Sequence, residues 1–125
     1  MIVGMNHFTV IAEDRQQTLD FYVGLLGLRE GHRPDLGFEG AWLYGDAPAA
    51  IVHLYFDRKP PAQRAGVIDH MAFTAKGVKA VKARFDAAKV RYDLRRQKDS
   101  GIWQLFTYDP NGAKVELDFD PAESL

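Results

Sequence analysis

Apolar and polar residues alternate strictly near the end of the chain. Val115, Leu117 and Phe119 fall on one side, Lys114, Glu116 and Asp118 on the other. A period of two marks a half-buried strand. Asp109-Pro110-Asn111-Gly112 precedes it and reads as a turn, because Pro110 sets φ for a type I turn and Gly112 accepts the positive φ that closes a hairpin. The start of the chain alternates as well: Met5, His7, Thr9 and Ile11 oppose Asn6, Phe8, Val10 and Ala12, which predicts a strand over 5–12. Asp14 then has the place of a helix N-cap with Gln17 as its capping-box partner. Leu19, Tyr22, Val23 and Leu26 follow at helical spacing, and Gly27 is a natural stop. Residues 28–56 are apolar pieces cut by glycine and proline, which predicts three short strands.

Residues 57–66, with Pro60-Pro61 and several basic residues, read as a linker, and the order then begins again. Ile68–Thr74 is predicted as a strand. Val78, Val81, Phe85 and Ala88 mark one face of a helix. Residues 91–106 supply further strands around Trp103, and the strand after Gly112 closes the series. Both halves read strand, helix, three strands.

The repeat has a single register. His7 and His70 are 63 residues apart, as are His53 and Glu116. The same offset pairs Ala12 with Ala75, Asp46 with Asp109, Leu54 with Leu117 and Phe56 with Phe119. Within each half the first of these polar residues precedes the second by 46. The expected organisation is therefore one domain over 1–125, made of modules 1–57 and 66–120.

Composition removes several function classes. With 125 residues, 46% hydrophobic and 26% charged, the chain can bury a core of its own. A net charge of −1 gives no electrostatic reason to expect nucleic acid or an anionic membrane as partner. No apolar run approaches the roughly 20 residues of a membrane span, and the first residues lack a signal-peptide pattern, so the expected location is cytoplasmic. There is no cysteine, which excludes disulfides, zinc–thiolate sites and thiol nucleophiles.

Three of the four histidines occupy repeat-equivalent strand positions, and a glutamate completes the set. Imidazoles with one carboxylate suit zinc, nickel, cobalt, manganese or ferrous iron. Two modules related by a pseudo-twofold would bring His7, His53, His70 and Glu116 to one divalent metal per site. Each of these residues taken singly is an ordinary core or solvated side chain, so the shared register carries the expectation. His32 lies off the register and is assigned no role.

The chain resembles the vicinal oxygen chelate superfamily, which includes glyoxalase I, methylmalonyl-CoA epimerase, extradiol dioxygenases, fosfomycin-resistance transferases and bleomycin-binding proteins. The resemblance rests on Asn6-His7-Phe8-Thr9-Val10, on residues 21–28, on Ile68-Asp69-His70-Met71-Ala72-Phe73, and on Asp109-Pro110-Asn111-Gly112 leading to Glu116. It implies an α+β fold of two tandem βαβββ modules forming a cupped mixed β-sheet, a divalent metal inside the cup, and a homodimer. For activity it implies a lyase or isomerase of glyoxalase I or epimerase type acting on a small molecule with two neighbouring oxygens. Glu116 would then be ligand and general base, with His53 as ligand or second acid–base group where glyoxalase I has a carboxylate.

The resemblance leaves other activities open. An iron-dependent extradiol dioxygenase would use His7, His70 and Glu116, but Phe106 stands where that group carries a tyrosine, and no histidine lies near Lys98-Asp99-Ser100. A fosfomycin-type transferase would carry an arginine beyond its glutamate, where this chain has Leu117, Asp118, Phe119 and Asp120. A bleomycin-type binding protein usually lacks the metal ligands. Trp42, Tyr44, Trp103 and Phe106, with Tyr55, either line an apolar substrate pocket or fill the core. Arg33, Arg95 and Arg96 could grip an anionic group or be plain surface charges.

Overall fold

Each half of the chain builds the same small sheet. The computed structural model describes residues 1–125, in two compact units, Met1–Ala62 and Gln63–Leu125. In the first unit, β1 (Phe8–Ile11) leads into α1 (Arg15–Leu19), which runs on as a π-helical stretch over Asp20–Leu25. Strands β2 (Arg29–Gly31), β3 (Gly40–Tyr44) and β4 (Ala50–Tyr55) follow. In the second unit the order is β5 (Met71–Thr74), α2 (Val78–Ala88), β6 (Tyr92–Arg96), β7 (Trp103–Tyr108) and β8 (Lys114–Phe119). The sheets run β1-β4-β3-β2 and β5-β8-β7-β6. In each the first and last strands are parallel and the other pairs antiparallel. The fold is α+β.

The strand registers reproduce the sequence offset. Phe8 lies opposite Val52 and Met71 opposite Val115, both 63 residues on. The backbone bond from Ala12 N–H to the Tyr55 carbonyl has its counterpart from Ala75 N–H to the Asp118 carbonyl. A bulge interrupts β4: Leu43 faces Val52 but Tyr44 faces Ala50, leaving Ile51 unpaired. The second unit has no such break. The bulge therefore makes β7 equivalent to β3 at an offset of 64, so that Phe106, opposite Glu116, corresponds to Trp42, opposite His53.

Several expected boundaries change. The first strand of each unit starts at Phe8 and Met71, later than 5 and 68, so His7 and His70 immediately precede a strand instead of lying in it. Parallel pairing needs a partner, and before Val52 and Val115 the partner strands have only one or two residues left. Met5 and Ile68 are accordingly exposed. The buried stripe of the first helical segment is Thr18, Phe21, Tyr22 and Leu25, one position earlier than the apolar spacing suggests. Thr18 is polar by type yet fully buried. Ala88 is exposed at the end of α2, while Val78, Val81 and Phe85 are buried as expected.

The cores are apolar and dense with large side chains. Tyr22, Leu43, Val52 and Leu54 are fully buried in the first unit, and Val78, Phe85, Leu105 and Val115 in the second. Burial of one such side chain is worth about 1.5–3 kcal/mol. The helix cap forms as expected, with Asp14 accepting from the Gln17 N–H at 2.8 Å. The turn before β8 is tied by the buried Asp109 carboxylate, whose Oδ1 accepts from the Asn111 and Ala113 N–H groups at 2.8 Å each. Gly112 takes φ +88 as that turn requires. No helix is long and apolar enough to cross a membrane.

Candidate functional site

In the second unit, His70 and Glu116 meet directly, with Nε2 and Oε2 2.6 Å apart. His70 Nδ1 lies 2.7 Å from Asp69 Oδ1, which also accepts from Lys114 Nζ at 3.0 Å. The His70 contact, then Lys114, holds the Asp69 carboxyl below its ordinary range. An ionised Asp69 only accepts, so Nδ1 carries hydrogen and Nε2 faces Glu116. Behind Glu116, Gln104 Nε2 donates to Oε1 at 2.5 Å and reaches Asp118 Oδ1 at 3.4 Å.

Glu116 is buried, at 4% exposure, although it sits on the charged side of its strand. Burial pushes its carboxyl above the ordinary value of 4.5, and the Asp118 carboxyl beside it adds to the rise; His70 and Gln104 oppose it. The 2.6 Å separation of His70 Nε2 and Glu116 Oε2 is that of a hydrogen bond with one proton between them. A divalent cation suits the same two atoms, since it replaces that proton and relieves the charge on both carboxylates.

In the first unit the corresponding residues form a stack of rings. The His7 and His53 imidazoles lie 3.7 Å apart, inclined by 16°, and Trp42 covers the other side of His53 at 4.3 Å and 10°. His7 Nδ1 approaches Asn6 Oδ1 at 2.6 Å, so Asn6 repeats the position and contact of Asp69. Nδ1 donates there, which leaves Nε2 as the free lone pair. His53 is 8% exposed, and burial, then His7, then Arg33, lowers its pKa below 6.5. A neutral imidazole is the form that binds metals.

Each unit thus presents two of the four expected ligands, and no group of three His, Asp or Glu side chains is gathered around one point. The four expected aromatic residues divide. Trp42 and Phe106 lie beside His53 and Glu116; the Phe106 ring meets His70 edge-on at 5.8 Å. Tyr44 and Trp103 also bond to backbone carbonyls. The Tyr44 hydroxyl donates to the His32 carbonyl at 2.6 Å, and Trp103 Nε1 donates to the Glu123 carbonyl at 2.9 Å. Trp103 is three residues from Phe106 on one strand, which puts it on the opposite face from Glu116.

Two participants were not expected from the sequence, Asp69 with its counterpart Asn6, and Gln104, whereas Asp118 shares the face of Glu116 as the alternation of the closing strand predicts. The sequence carried a signal for the first, a short side chain with an oxygen immediately before each repeat-related histidine. Gln104 was legible only through the cross-strand register, in which it faces Asp118 one step along from Phe106 and Glu116.

Comparison with known proteins bears on the family and the fold. The model of the Glyoxalase/Bleomycin resistance protein/Dioxygenase superfamily matches residues 4–117. A curated relative, Glyoxylase I 4 of Arabidopsis thaliana, is 28% identical over 124 residues, which is 93% of this chain and 70% of the relative. Among solved structures, a glyoxalase family protein from Bacillus anthracis superposes with a TM-score of 0.76 at 17% identity, covering 96% of this chain and 97% of that one. The fosfomycin resistance protein FosX of Listeria monocytogenes, as an E126Q mutant complexed with Mn(II) and 1S,2S-dihydroxypropylphosphonic acid, gives 0.74 at 17% identity, with 96% and 94% covered. Lactoylglutathione lyase from Agrobacterium tumefaciens gives 0.64 at 18% identity, with 99% and 98% covered.

Proposed function

This chain belongs to the Glyoxalase/Bleomycin resistance protein/Dioxygenase superfamily, and from that membership we propose that it is a divalent-metal-dependent lyase or isomerase of the glyoxalase I or epimerase type. In this reading residues 1–125 form a single domain of modules 1–57 and 66–120, active as a homodimer. His7, His53, His70 and Glu116 hold the ion. The donor set of imidazoles and one carboxylate fits zinc, nickel, cobalt, manganese or ferrous iron. When bound, such an ion supplies Lewis-acid stabilisation of negative charge developing on a carbonyl oxygen.

The observation that carries the reading is the buried Glu116 facing His70 Nε2 at 2.6 Å. Glu116 takes the proton from the carbon beside that carbonyl. Its raised pKa brings it nearer the working pH, where a carboxylate accepts protons more effectively. Gln104 fixes Oε1 and so directs Oε2. Asp69 holds the His70 ring in the tautomer whose Nε2 is available. Phe106 and Trp42 flank the two half-sites with apolar surface that limits water. The name of the Arabidopsis relative, together with the Mn(II) in Listeria FosX, supports the same direction.

Metal analysis after reconstitution tests the first step: about one divalent ion per complete site is expected, and none with His70→Ala. No binding of nickel, zinc or ferrous iron would make the chain a binding module. Hemithioacetal isomerisation is then compared with oxygen uptake on catechols. Oxygen consumption supported only by ferrous iron would replace the lyase with a ring-cleaving dioxygenase.

A further inference from the structure

The ligand-bearing face of the second sheet continues into a basic groove. Opposed residues of antiparallel strands point to the same face. Glu116 opposes Phe106, Phe106 opposes Asp93, Asp118 opposes Gln104, and Gln104 opposes Arg95. Arg91, two residues before Asp93, shares that parity, as does Lys114, two before Glu116. An open groove of about 510 Å³ lies here, bounded by Arg91, Asp93, Arg95, Phe106, Tyr108 and Lys114. Its apolar floor is the Phe106 ring, with the Arg95 guanidinium 4.5 Å and the Lys114 ammonium 5.5 Å from the ring centre. The same ring touches His70, so the groove borders the proposed metal position.

The two arginines are available. Lys114 is engaged with Asp69, but neither Arg91 nor Arg95 forms an ion pair, and both are exposed. Asp93 lies between them without bridging to either. The neighbouring Arg96 is different: its Nε and Nη2 donate to the Gly101 and Pro121 carbonyls at 3.0 and 2.9 Å, and it covers Trp103 on the other side of the sheet. The arrangement is also repeated. Gly31 opposes Trp42 as Asp93 opposes Phe106, and Glu30 opposes Leu43 as Tyr92 opposes Thr107. That equivalence, at an offset of 62, places Arg29 and Arg33 where the second unit has Arg91 and Arg95. Two arginines spaced by four thus lie on the ligand-bearing face of each unit.

We propose that Arg91 and Arg95 form a subsite for an anionic oxygen group of the substrate, a carboxylate or phosphoryl group, beside the carbon from which Glu116 removes a proton. The inference rests on the lyase or isomerase reading and narrows its substrate to an anionic one. Guanidinium forks match such groups in geometry and charge; the two unpaired forks bound one groove, Arg95 lying over its Phe106 floor, and hold the oxygen end while the remaining chain lies along Phe106.

The test uses the full metal-free chain at low ionic strength and follows the arginine Nε–H resonances during titration with inorganic phosphate and, separately, with acetate. Saturable shifts at Arg91 and Arg95, and none at Arg96, are expected. Arg95→Gln should weaken binding roughly tenfold, as for loss of one charge-assisted contact, and the Arg91→Gln/Arg95→Gln double variant should abolish it. Tighter phosphate than acetate identifies a phosphoryl subsite, and the reverse a carboxylate subsite. No saturable shift, or equal shifts at Arg58 and Arg96, overturns the proposal. A chain that binds the anion here yet holds no metal refutes the lyase reading and leaves this subsite standing. One that holds metal but not the anion refutes only the subsite.

Discussion

The two halves of the chain place His7 and His53, and His70 and Glu116, on one register and surround them differently. The second unit joins His70 to Glu116 at 2.6 Å and braces both with Asp69, Gln104 and Asp118. The first stacks His7, His53 and Trp42 face to face, with Asn6 as the only side chain that braces a ring nitrogen. Duplication preserved the positions; the residue types decided the chemistry. A histidine in place of a glutamate at position 53 changes a proton-accepting carboxylate into a stacking ring. The reactive half of the proposed site is therefore the second unit, and the first serves to hold.

The largest effect should follow from neutralising the carboxylate that the first unit lacks. Glu116→Gln keeps the shape and the contact with Gln104 but removes the base, and loss of a general base costs about 10²–10⁴-fold in rate. His53→Gln should cost clearly less. Rates of hemithioacetal isomerisation for the two variants, with metal content measured alongside, check the ranking. Equal losses would mean that the halves contribute alike.

Next in size is an exchange of the bracing residues. Asp69→Asn gives the second unit the first unit's neutral brace, and outer partners of this kind are worth about 10–100-fold in metal affinity. Asn6→Asp makes the opposite change and should raise affinity. Competition with a chelator measures both. No change from Asp69→Asn would show that the His70 ring is held by Glu116 alone.

The halves should also respond oppositely to pH in the metal-free chain. The unfolded chain protonates His53 near 6.5, whereas the folded chain resists until lower pH. Stability from this group is thus present above 6.5 and lost as pH falls through the folded value. Glu116 keeps its proton in the fold above 4.5, so its contribution is present below 4.5 and lost as pH rises through the folded value. Denaturant midpoints across this range should flatten on the neutral side in His53→Gln and on the acid side in Glu116→Gln. Unchanged profiles would mean that both side chains are solvated.

Much of this contrast could be read in the sequence, and the part that could not has a physical cause. Alternation and turn residues gave two runs of strand, helix and three strands, and the 63-residue offset singled out His7, His53, His70 and Glu116. What escaped was polar. Thr18 is buried although its type suggests a surface, which displaced the buried stripe of the first helix. Gln104 and Asp118 sit on a strand face that alternation alone assigns to water. Their meeting with Glu116 depends on how β7 pairs with β8, and the Ile51 bulge shifts that pairing by one between the halves. The starts of β1 and β5 were misplaced because a strand lasts only as long as its partner, which side-chain pattern does not encode.

The helices sharpen the comparison at its smallest scale. α1 carries its own cap, Asp14, three residues from the Gln17 N–H that it satisfies. α2 has no side-chain cap at Gly77. Instead Glu123, 45 residues after Val78, accepts from the Gly77 and Val78 N–H groups at 2.8 and 2.7 Å. The carboxylate also lies at the positive end of the helix. Loss of a cap costs about 1 kcal/mol, so Asp14→Ala and Glu123→Ala should be destabilising to a similar degree by denaturant unfolding. They should differ in kinetics. A local cap can form with its helix, whereas the remote one waits for the chain end to dock. Asp14→Ala is therefore expected to slow folding, and Glu123→Ala mainly to speed unfolding. Slowed folding in Glu123→Ala would mean that the chain end docks before α2 is complete.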